Sequence, residues 1–223
     1  MKRLIRISLL ALLPLICCAQ SQIGDRNFGT GLIPGPVFVN LSPSGNTPSG
    51  SFSVTSTGAG HFVGIIFIAN TQPSHVYLGS QAAVEQPTCS AAWAGIITTC
   101  LWYVANSTGG QTTVSMDGTI QVAWEYEFSG TNLTSPIDTV GTCGVIYGNC
   151  NAYLTPSTYH DAVITAFFGD NLSTISGSPT SISHQSQVSD GHAGAATLTS
   201  SSTETATVTD AGGQTTGAIW AFN

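Results

Sequence analysis

Thr119-Ile120-Gln121-Val122-Ala123-Trp124-Glu125-Tyr126-Glu127-Phe128 is the stretch on which the fold class turns. Ile120, Val122, Trp124, Tyr126 and Phe128 fall on one side of the chain, and Thr119, Gln121, Ala123, Glu125 and Glu127 on the other. A repeat of two belongs to an extended strand, whereas a helix face needs spacings of three and four. The preceding segment 111–116 joins this strand through Asp117-Gly118, a strong two-residue hairpin signal, so a hairpin is predicted there. The run from His61 to Ala69 is apolar on both faces and reads as a central strand. Further strands are predicted over Val37–Leu41, Ser51–Thr55, His75–Leu78, Leu101–Ala105 and Asp161–Phe168. Asp190-Gly191 separates Ser181–Val188 from Ala195–Thr199, and Gly212-Gly213 separates Thr203–Thr209 from Thr216–Phe222. No segment has the period of a useful amphipathic helix. The reading is all-β: a two-layer antiparallel β-sandwich, jelly-roll-like, of about a dozen short strands, with no internal repeat.

Residues 1–19 have a different character. Lys2, Arg3 and Arg6 precede the apolar run Ile7–Ile16, and small residues close it at Cys17-Cys18-Ala19. That order predicts a secretory signal peptide cleaved after Ala19. The run is short for a membrane span and contains Pro14. Lipidation at Cys18 is the rival, but Cys17 stands where a lipoprotein signal wants Gly, Ala or Ser. Residues 20–36 read as a lead-in segment and 37–223 as a single sandwich domain. The expected location is outside the cytoplasm, secreted or at the cell surface, with no transmembrane segment in the mature chain.

Beyond Ala19 there is no lysine and one arginine, Arg26, against eleven acidic residues. A chain without cations cannot neutralise a phosphate backbone, so nucleic acid is excluded as a partner. Phosphoryl-transfer and Schiff-base chemistry lose their lysine as well. What remains is a neutral, hydroxyl-rich composition suited to glycans or other uncharged surface partners.

Four mature cysteines, Cys89, Cys100, Cys143 and Cys150, give an even count in an exported chain, hence two disulfides. Three connectivities are open, and the local pairs Cys89–Cys100 and Cys143–Cys150 are favoured because each closes a short loop. No spacing among them suits zinc. They lie in two long connections, 79–100 and 130–159, expected to lack regular structure.

The segment Leu101-Trp102-Tyr103-Val104-Ala105-Asn106-Ser107-Thr108-Gly109-Gly110-Gln111-Thr112-Thr113-Val114-Ser115 resembles a W-Y-x-x-N-x-x-G-G-x-x-T-V-x-V pattern of secreted bacterial β-sandwich domains. Glu127-Phe128-Ser129-Gly130 is similar to their E-Y-S-G, Pro136-Ile137-Asp138 to their P-L-D, and Ala221-Phe222 to their apolar ending. The resemblance implies a jelly-roll-like fold and a role without catalysis. It does not cover the cysteine loops.

Glu125 and Glu127 are the candidate chemistry. Alternation puts both carboxylates on one face with origins roughly 7 Å apart, near the separations of glycoside hydrolases. A hydrolase using this pair is therefore the catalytic alternative. The plainer expectation is a solvent-facing strand with two charges, Glu127 bonding a nearby turn. No G-x-S-x-G elbow supports a serine triad. Trp93, Tyr147 and Tyr153 are candidate binding residues, aromatics on or beside the cysteine loops that suit sugar faces. Asp117, Asp138, Asp170 and Asp190 lie in or near turns and admit a structural calcium; no other cofactor is expected. Edge strands rich in serine and threonine admit a third role, a self-assembling surface subunit.

Overall fold

The computed structural model describes residues 35–46, 48–92, 97–145, 148–157, 161–198, 200–211 and 213–223. The expected signal segment, Trp93 and Tyr147 lie outside these residues. Among those described there are eighteen strands and no helix. The first ten are β1 (Val37–Pro43), β2 (Ser49–Ser53), β3 (Phe62–Ala69), β4 (Val76–Leu78), β5 (Gln81–Ala82), β6 (Val84–Glu85), β7 (Ser90–Ala92), β8 (Ile97–Val104), β9 (Thr113–Thr119) and β10 (Val122–Ser129). The rest are β11 (Ile137–Val145), β12 (Gly148–Leu154), β13 (Ala162–Phe168), β14 (Ser176–Ser178), β15 (Ser183–Val188), β16 (Gly191–Thr197), β17 (Glu204–Asp210) and β18 (Thr215–Phe222).

They form four antiparallel sheets. The first contains β1-β10-β3-β8-β6, with β7 also on β8, and its sandwich partner contains β2-β9-β4-β5. The third contains β11-β18-β13-β16-β15, and its partner β12-β17-β14. The order β1-β10-β3-β8 recurs as β11-β18-β13-β16, and β2-β9-β4 recurs as β12-β17-β14. The chain thus traces one jelly-roll path twice. No repeat was expected from the sequence, because equivalent positions carry unlike residues. Tyr126 pairs with Gly64 where Trp220 pairs with Ile164.

All-β, antiparallel and jelly-roll-like describe this structure, but the layers number four. Three cores separate them. Trp124, Tyr126, Phe128, Ile66 and Phe62 pack against Ile164, Phe168, Trp220 and Phe222 between the two inner sheets. Val63, Ile65, Phe67 and Trp102 face Phe52, Leu78, Val114 and Met116 inside the first sandwich. Val163, Phe167 and Ile219 face Leu154, Ala206 and Val208 inside the second. Every residue of β3, β13 and β18 is buried. Two-sided burial of that kind needs a layer on each face, which a two-layer sandwich does not supply. Phe62 stacks on Phe222 with ring centroids 4.5 Å apart, and Phe128 meets Phe222 edge-on at 4.7 Å. These contacts fasten the two sandwiches through aromatic surface.

The hairpin predicted at Asp117-Gly118 is a sheet crossing instead. Asp117-Gly118 belongs to β9, and β9 does not pair with β10; the chain passes there from an outer to an inner sheet. Ile120 sits buried at the corner, which draws the chain across. β17 and β18, which flank Gly212-Gly213, likewise belong to an outer and an inner sheet; Gly212 itself lies outside the described residues. The β15–β16 hairpin does form, with Val188 opposite Gly191 and Ser189 at φ 50° in its turn.

Cys89–Cys100 and Cys143–Cys150 are both bonded. The first ties the approach to β7 onto β8, and the second ties β11 to β12, one sheet to the next. The connections expected to be irregular therefore contain β5 to β7, β11 and β12.

Candidate functional site

β10 lies second from the edge of its sheet, between β1 and β3. Its alternation is as the sequence implies: Trp124, Tyr126 and Phe128 enter the core between sandwiches, and Ala123 lines the first sandwich. Glu125 and Glu127 share the face of Ala123. Both are buried, at 0% and 1% exposure, so the expected solvent-facing strand is not found. The reason is the second layer of the sandwich, which covers the face that a period of two leaves free.

The strand β1 and the loop after β2 supply the polar lining. Ser42 lies opposite Glu125, and Asn40 opposite Glu127. Asn40 Nδ2 donates to Glu125 Oε2 at 3.4 Å and to Ser42 Oγ at 3.2 Å. Glu125 Oε1 is buried with no hydrogen-bond partner among the described residues. Burial pushes the Glu125 carboxyl up to about 8; a hydrogen bond from Ser42 opposes the shift and the Glu127 charge adds to it. The neutral acid is the form that this enclosure favours.

Glu127 is engaged through one oxygen by the neighbouring turn. Its Oε1 accepts from Gly58 N at 2.5 Å and from His61 Nδ1 at 2.7 Å. Gly58 is required there: a Cβ would stand 2.3 Å from the His61 ring. Around them Thr55 N donates to Ser42 Oγ at 2.9 Å, and the Thr57 and Ser107 hydroxyls bond at 3.0 Å. The cluster closes the mouth of the first sandwich with side chain to backbone bonds. At the matching positions of β18 stand Ile219 and Ala221, both part of the second sandwich's apolar cluster.

A glycosidase acid must reach the oxygen of a bond in its substrate. Carboxylates sealed under two layers, one of them held by its own turn, lack that reach. Of the aromatic candidates Trp93, Tyr147 and Tyr153, only Tyr153 lies among the described residues. Tyr153 is 64% exposed on β12, in the outer sheet of the second sandwich, with no tie to the glutamates. Trp124 and Trp220 are core, as expected.

Among the described residues, no three of the turn aspartates come together as a group of ligands. Asp117 accepts from His75 N at 2.9 Å, and Asp138 from Ser157 N at 2.6 Å. Asp170 packs over Gly213, and Asp190 lines a hollow beside Asn46 and Gln121. The one cluster of potential metal ligands among the described residues is Glu85 with Cys89 and Cys100, whose sulfurs are spent in a disulfide.

Sequence reasoning missed a trough on the outer sheet of the first sandwich. His75, Tyr77, Ser115, Met116 and Asp117 line a hollow of about 420 Å³. A second of about 170 Å³ adjoins it through Asp117, lined by 71–74 and 117–119. Tyr77 is among the few large apolar residues left exposed. The alternation of His75–Leu78 could have flagged it, with Val76 and Leu78 inward and Tyr77 outward. No protein-family model, curated protein or solved structure matches this chain.

Proposed function

We propose that the protein is an exported, non-catalytic double jelly-roll module, acting outside the cytoplasm as a binding or structural element toward neutral, hydroxyl-rich partners such as glycans. The observation that carries this reading is the enclosure of Glu125 and Glu127: both carboxyls are buried, and Glu127 accepts from the Gly58 backbone and the His61 ring of the neighbouring turn. Two disulfides support an oxidising compartment. The single cation of residues 20–223 supports an uncharged partner. The resemblance of the segment 101–115 to secreted bacterial β-sandwich domains points the same way.

The test is incubation of the purified protein with a panel of β-glucans, xylan, mannan and chitin, assayed for new reducing ends, alongside Glu125→Gln and Glu127→Gln. No cleavage is expected from any of the three. Hydrolysis by the wild type that either substitution abolishes would establish the glycoside hydrolase instead.

Self-assembly is the second reading, and one feature favours it. β1 is an edge strand with Val37 and Val39 exposed at 54% and 45%, the kind of edge that pairs with another chain. Sedimentation across a hundredfold concentration range separates the two: a monomer throughout supports the module, and growth into larger species supports the subunit.

A further inference from the structure

We infer that the trough formed by His75, Tyr77, Ser115 and Asp117 on the outer sheet of the first sandwich is a binding site for a neutral saccharide. The inference rests on the reading of the protein as a binding module and assigns that role to one surface. Of these residues the sequence singles out only Asp117, as one of four turn aspartates for a structural calcium, and none as a candidate for binding sugar.

The trough has the parts that sugar recognition needs. Tyr77 supplies an apolar ring, 40% exposed. Across the strands it is flanked by Ser115 on one side and Ala82 on the other, and Ser51 follows beyond Ser115. Small neighbours leave the ring proud of the sheet, where the apolar face of a pyranose can lie on it. Asp117 supplies the polar anchor. One of its oxygens accepts from His75 N at 2.9 Å and the other faces His75 Nδ1 at 3.2 Å. Those two bonds fix the carboxylate plane and leave lone pairs for vicinal hydroxyls. The backbone hydrogen bond from His75 holds the Asp117 carboxyl below its ordinary value, so the anchor stays charged in mildly acidic surroundings. Ser74 and Thr119 are among the residues lining the adjoining hollow, which extends the line past a single ring.

Size and charge narrow the ligand. About 420 Å³ lies within the range of small-ligand clefts, roughly 300–1,000 Å³. A phosphorylated, sulfated or uronic acid ligand would meet Asp117 with no lysine or arginine among the residues lining either hollow. An uncharged oligosaccharide is the class that fits.

The experiment is isothermal titration of the full mature protein with cellohexaose, laminarihexaose, mannohexaose and chitohexaose, with the recovered sugars checked by chromatography. At least one is expected to bind and to be recovered intact. Tyr77→Ala is expected to weaken it by about tenfold or more, and Tyr77→Phe to preserve it. Because Asp117 also orders the start of β4, Asp117→Asn is compared by circular dichroism with the wild type; weaker binding by a folded variant supports the site. Binding that Tyr77→Ala leaves unchanged, or no binding to any of the four, overturns this site while the broader module reading stands. Cleavage of a bound sugar overturns both.

Discussion

Replacing Glu125 by Gln removes one titrating proton and keeps the shape of the side chain. Burial pushes that carboxyl from its ordinary 4.5 up to about 8. The folded protein therefore keeps the proton to a higher pH than the unfolded chain does. The stabilisation is complete below the ordinary value and is lost as pH rises toward about 8. Through that window the wild type should lose about 1.4 kcal/mol of stability per pH unit from this group. Between about pH 5 and pH 7.5 the loss amounts to roughly 3 kcal/mol, a large share of a domain's roughly 5–15 kcal/mol. Glu127 and, through it, His61 stand beside the group. The difference between wild type and Glu125→Gln isolates Glu125. Urea unfolding followed by tryptophan fluorescence at half-unit steps of pH provides the curves. The variant should show a much flatter pH dependence and should exceed the wild type in stability at about pH 8. Parallel curves for the two proteins would refute the enclosure.

Four further expectations follow from the same contacts. Glu127→Ala strips the acceptor from Gly58 N and His61 Nδ1; a loss of roughly 1–3 kcal/mol is expected by urea unfolding. Opening the Cys143–Cys150 bridge by a double substitution to Ala should cost about 2–3 kcal/mol, read as a lowered melting temperature. Gly141→Ala places a Cβ 1.9 Å from the Tyr153 carbonyl oxygen, and since backbone must yield there, roughly 2–4 kcal/mol should be lost. Trp124→Ala empties the shared core between the sandwiches and should cost about 3–5 kcal/mol by calorimetry.

The strands were legible wherever side chains alternated or ran continuously apolar. Phe62–Ala69, Val122–Ser129 and Ala162–Phe168 lie within three residues of their predicted places. β11 and β12 were missed because Ile137-Asp138-Thr139-Val140-Gly141-Thr142 and Gly148-Asn149-Cys150-Asn151 are interrupted by Gly, Asp and Asn, residues depleted in strands. The hairpin expected at Asp117-Gly118 failed for a different reason. Turn chemistry says that a chain bends, whereas the sheet it enters next is decided by distant packing, here the burial of Ile120. Glu125 and Glu127 were correctly placed on one face. Whether that face met water depended on a layer built from β2, β9, β4 and β5, which no local pattern announces. The twofold use of one topology was hidden similarly, since Glu125 and Ile219 occupy equivalent positions in opposite chemical environments. The trough at Tyr77 rests on the nearness of His75 to Asp117, forty-two residues apart in the chain.

The most direct test of the account is a carbon-13 NMR titration of the glutamate side-chain carboxyls in the folded protein. Glu125 should titrate with a midpoint near 8, as a carboxyl enclosed by two layers. A midpoint in the ordinary carboxylate range, about 4 to 5, would mean that water reaches the pair, and the sealed, structural role given to these residues would be contradicted.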